Sequence, residues 1–334
     1  MVCSTADRKR KKEIPEHARI VTDDLDKIGG LIMGADNVHA TRHDSDQRPK
    51  GVLISKTGYV NAWRNIKLVV EYDGTGYCGF QRQKNLPTIQ AELEIAIETI
   101  TKTYSHVTAS GRTDAGVHAL GQVVNFRTHA RIPVDKFVPA LNSVLPKDIR
   151  VRSAEEVPWR FHARYDACWK TYAYSIDTRP VPSVFIRNFA YHLSVPLNLE
   201  EMKTAAESLV GVHDFSSFAS SGGSVKTFTR NVRRLEITTR DDPILRILIE
   251  ADGFLYNMAR TIVGTLLEVG QGKIRATDVS RIRDARDRRL AGPRAPACGL
   301  CLIKVDYDES HFRYNDDHLS TDSENVTPKY VHWD

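Results

Sequence analysis

The chain has 334 residues, 41% of them hydrophobic, which is long enough for one large domain or two ordinary ones. Its apolar runs fall well short of the roughly 18 residues of a membrane span, and no signal peptide is recognisable, so we expect a cytoplasmic protein. Residues 64–307 carry 34 basic and 26 acidic side chains, a net charge of +8. A basic body suits a polyanionic partner, and many globular proteins without such a partner carry the same charge.

Both ends of the chain differ from the middle. Residues 1–63 mix charges, glycine and asparagine without apolar periodicity, which predicts a poorly ordered N-terminal extension or an artefact of an upstream start codon. The acidic, polar segment 308–334 predicts a flexible tail. We expect the folded part to lie between these two segments.

The first half, residues 64–166, is predicted to contain both strands and helices. Alternating apolar residues predict a strand over 66–72. Thr88 precedes apolar residues at spacings of three and four, which predict a helix reaching Tyr104. The remaining predicted elements are a strand over 122–127, a helix over 134–145 and a strand over 149–157.

The second half, residues 167–307, is also predicted to contain both strands and helices. Strands are predicted over 168–176, 233–239, 245–251 and 299–305, and helices over 199–210, 258–269 and 277–289. Because the elements do not alternate strictly as βαβ units, the pattern favours an α+β fold with mixed or antiparallel sheets and helices on one face. Each half is of ordinary domain size.

The most informative segment is a polar, glycine-flanked loop, which reads SGRTDAGVHA over residues 110–119. Small residues on both sides of Asp114 would let a large flat substrate approach it, and Arg112 lies two residues away. From spacing alone, the simpler interpretation is a turn in which Asp114 hydrogen-bonds backbone amides. Cys298 and Cys301 form one CxxC motif without a second pair, so we expect no metal site.

The loop sequence GRTDAGVHA closely resembles the active-site motif of the tRNA pseudouridine synthase A family. The resemblance runs from Lys67 to Tyr307 and leaves both terminal segments outside. Its other motifs, in chain order, are EYDG at 71–74, FQR at 80–82, GQVV at 121–124, FHAR at 161–164, KTYAY at 170–174, HDF at 213–215, SF at 217–218, RNV at 230–232, MARTIVG at 258–264 and GL at 299–300.

The resemblance implies an isomerase that converts uridine to pseudouridine in tRNA. The bond from N1 of uracil to C1′ of ribose breaks, the base turns, and C5 bonds to C1′. Because atoms are conserved, we expect neither a redox cofactor nor ATP. The chain carries no Walker-type or dinucleotide-binding glycine loop, which agrees with this expectation.

The resemblance also implies roles for three polar residues. Asp114 matches the essential carboxylate, which acts as a nucleophile or as a base at the ribose. Arg260 matches the arginine that keeps this carboxylate ionised; the alternative is a surface arginine, but its apolar neighbours indicate a buried segment. Arg112 matches the arginine that helps to evict the target base.

Residues that contact the substrate follow from the same resemblance. Tyr172 matches the tyrosine that stacks on uracil, and Leu300 matches the residue on the other side of the base; core packing is the alternative for both. The arginine-rich segment 281–294, preceded by Arg275, either binds RNA or is a solvated helix with internal ion pairs. Further substrate contacts are expected from Phe80, Gln81, Arg82, Arg164 and Lys170.

The implied architecture is a pair of ferredoxin-like (RRM-like) subdomains, residues 64–166 and 167–307, with the active-site cleft between them. The implied partners are tRNA, modified at positions 38 to 40 of the anticodon stem-loop, and a second copy of the chain in a homodimer. One alternative is a catalytically silent RNA-binding protein on the same fold. Another is a metal-dependent nuclease, which would need acidic ligands near Asp114.

Overall fold

The computed structural model describes residues 63–222, 226–239 and 243–308. Of the predicted extension 1–63 and tail 308–334, all but Trp63 and Asp308 lie outside these residues. The described helices are α1 (Ile89–Thr101), α2 (Val134–Val144), α3 (Leu199–Glu207), α4 (Met258–Gly270) and α5 (Asp278–Asp284), none of them long and apolar enough to cross a membrane. The described strands are β1 (Arg64–Tyr72), β2 (Thr108–Ala109), β3 (His118–Thr128), β4 (Ile149–Val157), β5 (Ala167–Asp177), β6 (Tyr191–His192), β7 (Gly211–Asp214), β8 (Thr229–Thr239), β9 (Ile244–Ala251) and β10 (Leu300–Tyr307).

These strands form one mixed sheet in the order β4-β1-β3-β10-β5-β9-β8-β7, with β2 beside β3 and β6 beside β5. Strand β10 runs parallel to β3 and antiparallel to β5. It therefore joins strands from the first half of the sequence to strands from the second half. The predicted α+β class with a mixed sheet is confirmed.

Strand β1 shows how the sequence pattern sets the core. Ile66, Leu68 and Val70 occupy every second position and are fully buried. Side chains two apart on a strand share one face, so this face packs into the core with Leu93 and Ile97 of α1. Each such side chain stabilises the fold by about 1.5–3 kcal/mol relative to an exposed position.

Helix α4 is buried on nearly every side, because its sequence is apolar around the whole circumference. Gly264 lets the helix approach the segment that precedes β10. A Cβ atom at this glycine would lie 1.6 Å from the carbonyl oxygen of Pro293, so no other residue fits without a shift of the backbone. This close packing fixes residues 293–295 beside α4.

Three helices end earlier than the sequence pattern predicts. Helix α1 stops at Thr101 because Lys102 adopts the left-handed conformation (φ 59°), and Tyr104 lies exposed beyond it. Helix α3 ends at Glu207 and not at residue 210, because the chain turns there into β7. Helix α5 ends at Asp284 and not at residue 289, and Arg286 turns the chain away with φ 54°.

Candidate active site

The loop of residues 110–117 connects β2 to β3 and carries Asp114 at a tight turn. The amide of Val117 donates to the carbonyl of Asp114 at 3.1 Å, and the amide of Phe80 donates to the carbonyl of Thr113 at 3.0 Å. Gly79 has φ +94°, and a Cβ atom there would lie 2.8 Å from the Thr113 oxygen. The loop therefore rests on a glycine that both the conformation and the space require.

A buried hydrogen-bond network supports the loop from the sheet side. The hydroxyl of Tyr72 lies 2.8 Å from Thr113 Oγ1, and Gln122 donates from Nε2 to the carbonyl of Gly111 at 2.9 Å. Ser110 donates from Oγ to Gln122 Oε1 at 2.7 Å. Burial raises the pKa of the Tyr72 phenol well above its usual range, so this hydroxyl stays protonated. Satisfied networks of this kind hold a loop in one conformation.

Asp114 and Arg260 form an ion pair across the two halves of the sequence. Nη1 of Arg260 lies 3.2 Å from Oδ2 of Asp114, and the two side chains are 10% and 26% exposed. The arginine is held from behind, because its Nε donates to the carbonyl of Ala295 at 2.8 Å. The arginine is therefore fixed in position, with one guanidinium nitrogen directed at the carboxylate.

Asn257 is a second neighbour of Asp114, and the sequence analysis did not identify it. Its hydrogen-bonding partners assign the orientation of its amide. In that orientation Nδ2 donates to Asp114 Oδ2 at 2.7 Å, and Oδ1 accepts from Arg294 Nη1 at 3.2 Å and from Ser220 Oγ at 3.0 Å. The available signal was its position three residues before Arg260, just before the apolar helix.

The sheet brings Tyr172 and Leu300 to one face beside this loop. Leu300 pairs with Tyr174 across β10 and β5, and Tyr172 lies two residues from Tyr174, so all three side chains share a face. Tyr172 is 8% exposed and packs edge to face against Phe254, with 4.9 Å between the ring centres. Burial raises the pKa of Tyr172, and the charges of Tyr72 and Asp114 add smaller contributions in the same direction.

Lys170 lies against the backbone of the same loop. Its Nζ donates to the carbonyl of Ser110 at 2.6 Å and would lie 3.4 Å from a Cβ atom on Gly111. Burial, and to a lesser extent the charges of Arg164 and Arg230, lower the pKa of Lys170 to about 8.

Comparison with known proteins decides which family carries this site. The family model described as tRNA pseudouridine synthase matches residues 68–166 and 205–308. The chain belongs to the tRNA pseudouridine synthase family. Asp114, Arg260 and Leu300 all lie inside the matched residues, whereas Lys170 and Tyr172 lie in the interval between its two segments.

Individual members of the family are similar over their whole length. The chain is 49% identical over 244 residues to a tRNA pseudouridine synthase A of Acetivibrio thermocellus, covering 73% of this chain and 100% of the relative. It is 50% identical over 244 residues to the enzyme of that name from Thermoanaerobacter pseudethanolicus, with the same coverage. It is 48% identical to tRNA pseudouridine synthase A 2 of Clostridium perfringens, again over 244 residues and 100% of the relative.

The other residues predicted to contact the substrate differ in their exposure and in their partners. Arg112, Gln81 and Arg164 are exposed, and Arg112 makes no hydrogen bond or ion pair with the described part of the chain. Arg82 pairs through Nε with the buried Glu94 at 3.1 Å, so part of its charge is already neutralised. Phe80 is 2% exposed and packs against Tyr72, which favours support of the loop over direct contact with RNA.

The arginine-rich segment is dominated by internal ion pairs. Arg283 lies 2.7 Å from Asp284, and Arg289 lies 2.6 Å from Asp287. Further pairs join Arg275 and Arg281 to Asp278, and Arg286 to Asp214. Of the two interpretations of this segment, these contacts favour the solvated segment with its own ion pairs, although they leave most of its guanidinium groups exposed.

Proposed function

We propose that this protein is an isomerase that converts uridine to pseudouridine in tRNA, with Asp114 as the essential carboxylate. The observation that carries the proposal is the contact of Asp114 with Arg260, at 3.2 Å, in a loop that the family model covers. A carboxylate paired with a guanidinium in a partly enclosed site suits attack on the sugar of an extruded nucleotide. The catalytically silent alternative would not need this pair.

In the proposed reaction, a carboxylate oxygen of Asp114 attacks C1′ as N1 of uracil leaves with the bonding electrons. The base then turns, and C5 displaces the carboxylate from C1′. The hydrogen on C5 is released to solvent and N1 gains one, so the product has the composition of the substrate. Every atom is accounted for without a redox or phosphoryl-transfer step.

The remaining roles concern how the target nucleotide is held. Tyr172 and Leu300 share the sheet face beside the loop, which supports their contact with the uracil ring. The exposed side chain of Arg112 has no competing ion pair in the described residues and is available to take the place of the evicted base. We place phosphate contacts at Arg164 and Lys170, with Gln81 and Arg82 at the periphery.

The assay that tests this function is tritium release from tRNA labelled at C5 of uracil. We expect release with the purified protein, in the presence of EDTA, and we expect a matching quantity of pseudouridine in the digested product. In tRNA whose uridines at positions 38 to 40 are replaced by cytidine, release should disappear.

Three outcomes would count against the proposal in different ways. Tight tRNA binding without tritium release would support the silent RNA-binding alternative. Strand cleavage that EDTA prevents would support a metal-dependent nuclease. Release that persists after replacement of positions 38 to 40 would retain the chemistry but contradict the anticodon stem-loop as its target.

The lowered pKa of Lys170 predicts that the affinity for tRNA depends on pH. Because its pKa is about 8, its positive charge is present at pH 7 and is lost as the pH rises above 8. If Lys170 contacts a phosphate, the affinity of the wild type should fall between pH 7 and pH 9 by up to about tenfold for each pH unit above the pKa. Filter binding with unmodified tRNA at constant ionic strength measures this decline.

The matched control is Lys170→Arg, because arginine stays charged throughout this range. We expect its affinity to change little with pH, and that of Lys170→Met to be weak at every pH. An identical pH dependence in the wild type and in Lys170→Met would exclude Lys170 as the titrating contact.

Within the α+β class, we propose a more specific architecture. We place ferredoxin-like subdomains at residues 64–166 and 167–307, with helices on one face of each. The position of β10 between β3 and β5, and the ion pair across the two halves, support a cleft at their junction.

We also propose a cytoplasmic homodimer that recognises the shape and backbone of tRNA. Light scattering of the purified protein should give twice the mass of the chain.

A further inference from the structure

Asn257 contacts the proposed catalytic carboxylate, and Arg294 contacts Asn257. Neither residue has a part in the mechanism described above. We infer that Asn257 is a positioning residue for Asp114 and that Arg294 orients its amide. This inference rests on the proposed function, because it assumes that Asp114 carries out the chemistry.

The backbone of Asn257 adopts a conformation that residues with side chains rarely use. Its φ is +61° and its ψ is 7°, immediately before the first residue of α4. Asparagine tolerates this left-handed region better than most residues. Although it occupies the N-cap position, its side chain makes no capping hydrogen bond. The side chain is directed instead to Asp114, which accounts for an asparagine at a buried position.

The donors around Asp114 are arranged asymmetrically. Asn257 at 2.7 Å and Arg260 at 3.2 Å both donate to Oδ2. Among the described residues, no hydrogen-bond donor is found for Oδ1. Two donors from the same end of α4 therefore hold Oδ2 in place, and Oδ1 is the oxygen available to react.

Arg294 determines which end of the Asn257 amide faces the carboxylate. Its Nη1 lies 3.2 Å from the amide oxygen, and Ser220 Oγ lies 3.0 Å from the same oxygen. A guanidinium can only donate, so it selects the orientation in which the amide nitrogen points to Asp114. In the reverse orientation, two oxygen atoms would face each other at 2.7 Å.

The charged and titratable groups that face this carboxylate come from four parts of the chain. Arg260 faces it from α4, Tyr172 from β5, and Arg294 through the amide from the segment before β10; Arg112 lies in the same loop. Removal of a neutral donor from this set weakens stabilisation of the ionised carboxylate. A new negative charge at residue 257 weakens it further.

The test is the pH dependence of kcat for Asn257→Asp, measured by tritium release. Aspartate has the same shape and tolerates the same backbone, but it exchanges the donor for a negative charge. We expect kcat at pH 7 to fall by about 10- to 100-fold, the effect of losing a hydrogen bond to a charged group. The acid limb of the profile should move to higher pH by about one unit, with KM for tRNA nearly unchanged.

A second variant, Asn257→Gly, covers the case in which the aspartate variant does not fold. Glycine accepts the left-handed conformation and adds no charge, so we expect a loss in kcat with a smaller shift of the acid limb. The matched control is Asn198→Asp at the N-cap of α3, where the asparagine side chain accepts from the amide of Glu201 and an aspartate can do the same. Its kcat should stay within about twofold of the wild type.

Wild-type pH profiles in both Asn257 variants would overturn the inference, as would a lower kcat with the acid limb unmoved, which is the result of a merely structural role. Asp114→Asn in the same assay separates this failure from failure of the proposed function. If that variant is inactive while the Asn257 variants behave as wild type, only the positioning role is wrong. If it is fully active, the proposed function of Asp114 is wrong as well.

Discussion

Replacement of Asp114 by asparagine is expected to reduce tritium release from C5-labelled tRNA by at least about 10³-fold, because the amide cannot act as the nucleophile. The side chain keeps its size, and its oxygen can still accept hydrogen bonds from Arg260 and Asn257. We therefore expect the melting temperature and the affinity for tRNA to change little. Single-turnover tritium release and filter binding, measured on the same preparation, separate catalysis from binding.

The controls for this result are Asp135→Asn and Asp114→Glu. Asp135 is an exposed residue in the first turn of α2, and its replacement should leave turnover unchanged. Glutamate at 114 keeps the charge but moves it by about one bond length, and a displacement of this size costs about 10²-fold in rate. Turnover of Asp114→Asn near the wild-type rate would mean that another group performs the reaction.

Replacement of Arg260 by methionine is expected to lower kcat by about 100-fold or more while KM for tRNA stays within a few-fold. The reason is that a partly buried carboxylate loses the cation that stabilises its charge. Arg260→Lys should retain more activity, because the charge remains although the contact of Nε with Ala295 is lost. Steady-state kinetics with C5-labelled tRNA measures both variants.

The matched control for Arg260 is Arg64→Met. Arg64 forms an ion pair with Glu156 at 2.7 Å, between β1 and β4 and outside the loop. Its replacement by methionine therefore removes an arginine–carboxylate pair that does not involve Asp114. We expect this variant to lower stability, because Arg64 also donates to the carbonyls of Ala130 and Ile132, and to leave kcat unchanged. An equal loss of activity in the two variants would indicate a general effect of lost ion pairs and contradict a specific role of Arg260.

The sequence predicted the elements whose signals are local. The alternation in β1 and the apolar circumference of α4 lie within single segments, so their positions were predicted to within a few residues. The pairing of Asp114 with Arg260 joins residues 146 positions apart, and composition or spacing contains no trace of it. It was predicted from resemblance to a known family, through the motifs at the two ends of the contact.

What the sequence did not predict depends on long-range geometry. The insertion of β10 between β3 and β5 is set by non-local pairing, and it is this pairing that brings Leu300 beside Tyr172. Asn257 precedes an apolar helix and therefore resembles an ordinary N-cap, whereas its side chain contacts a loop from the other half of the sequence. Phe80 belongs to a family motif, and the motif did not reveal that its side chain is buried beneath the loop.

We propose that the carboxylate of Asp114 carries out the isomerisation and that the guanidinium of Arg260 stabilises its negative charge. The most direct test is a double-mutant cycle of Asp114→Asn and Arg260→Met, followed by single-turnover formation of pseudouridine. If the arginine acts through the carboxylate, the double variant should be no slower than Asp114→Asn alone. Rate losses that multiply in the double variant would contradict the coupling of these two residues.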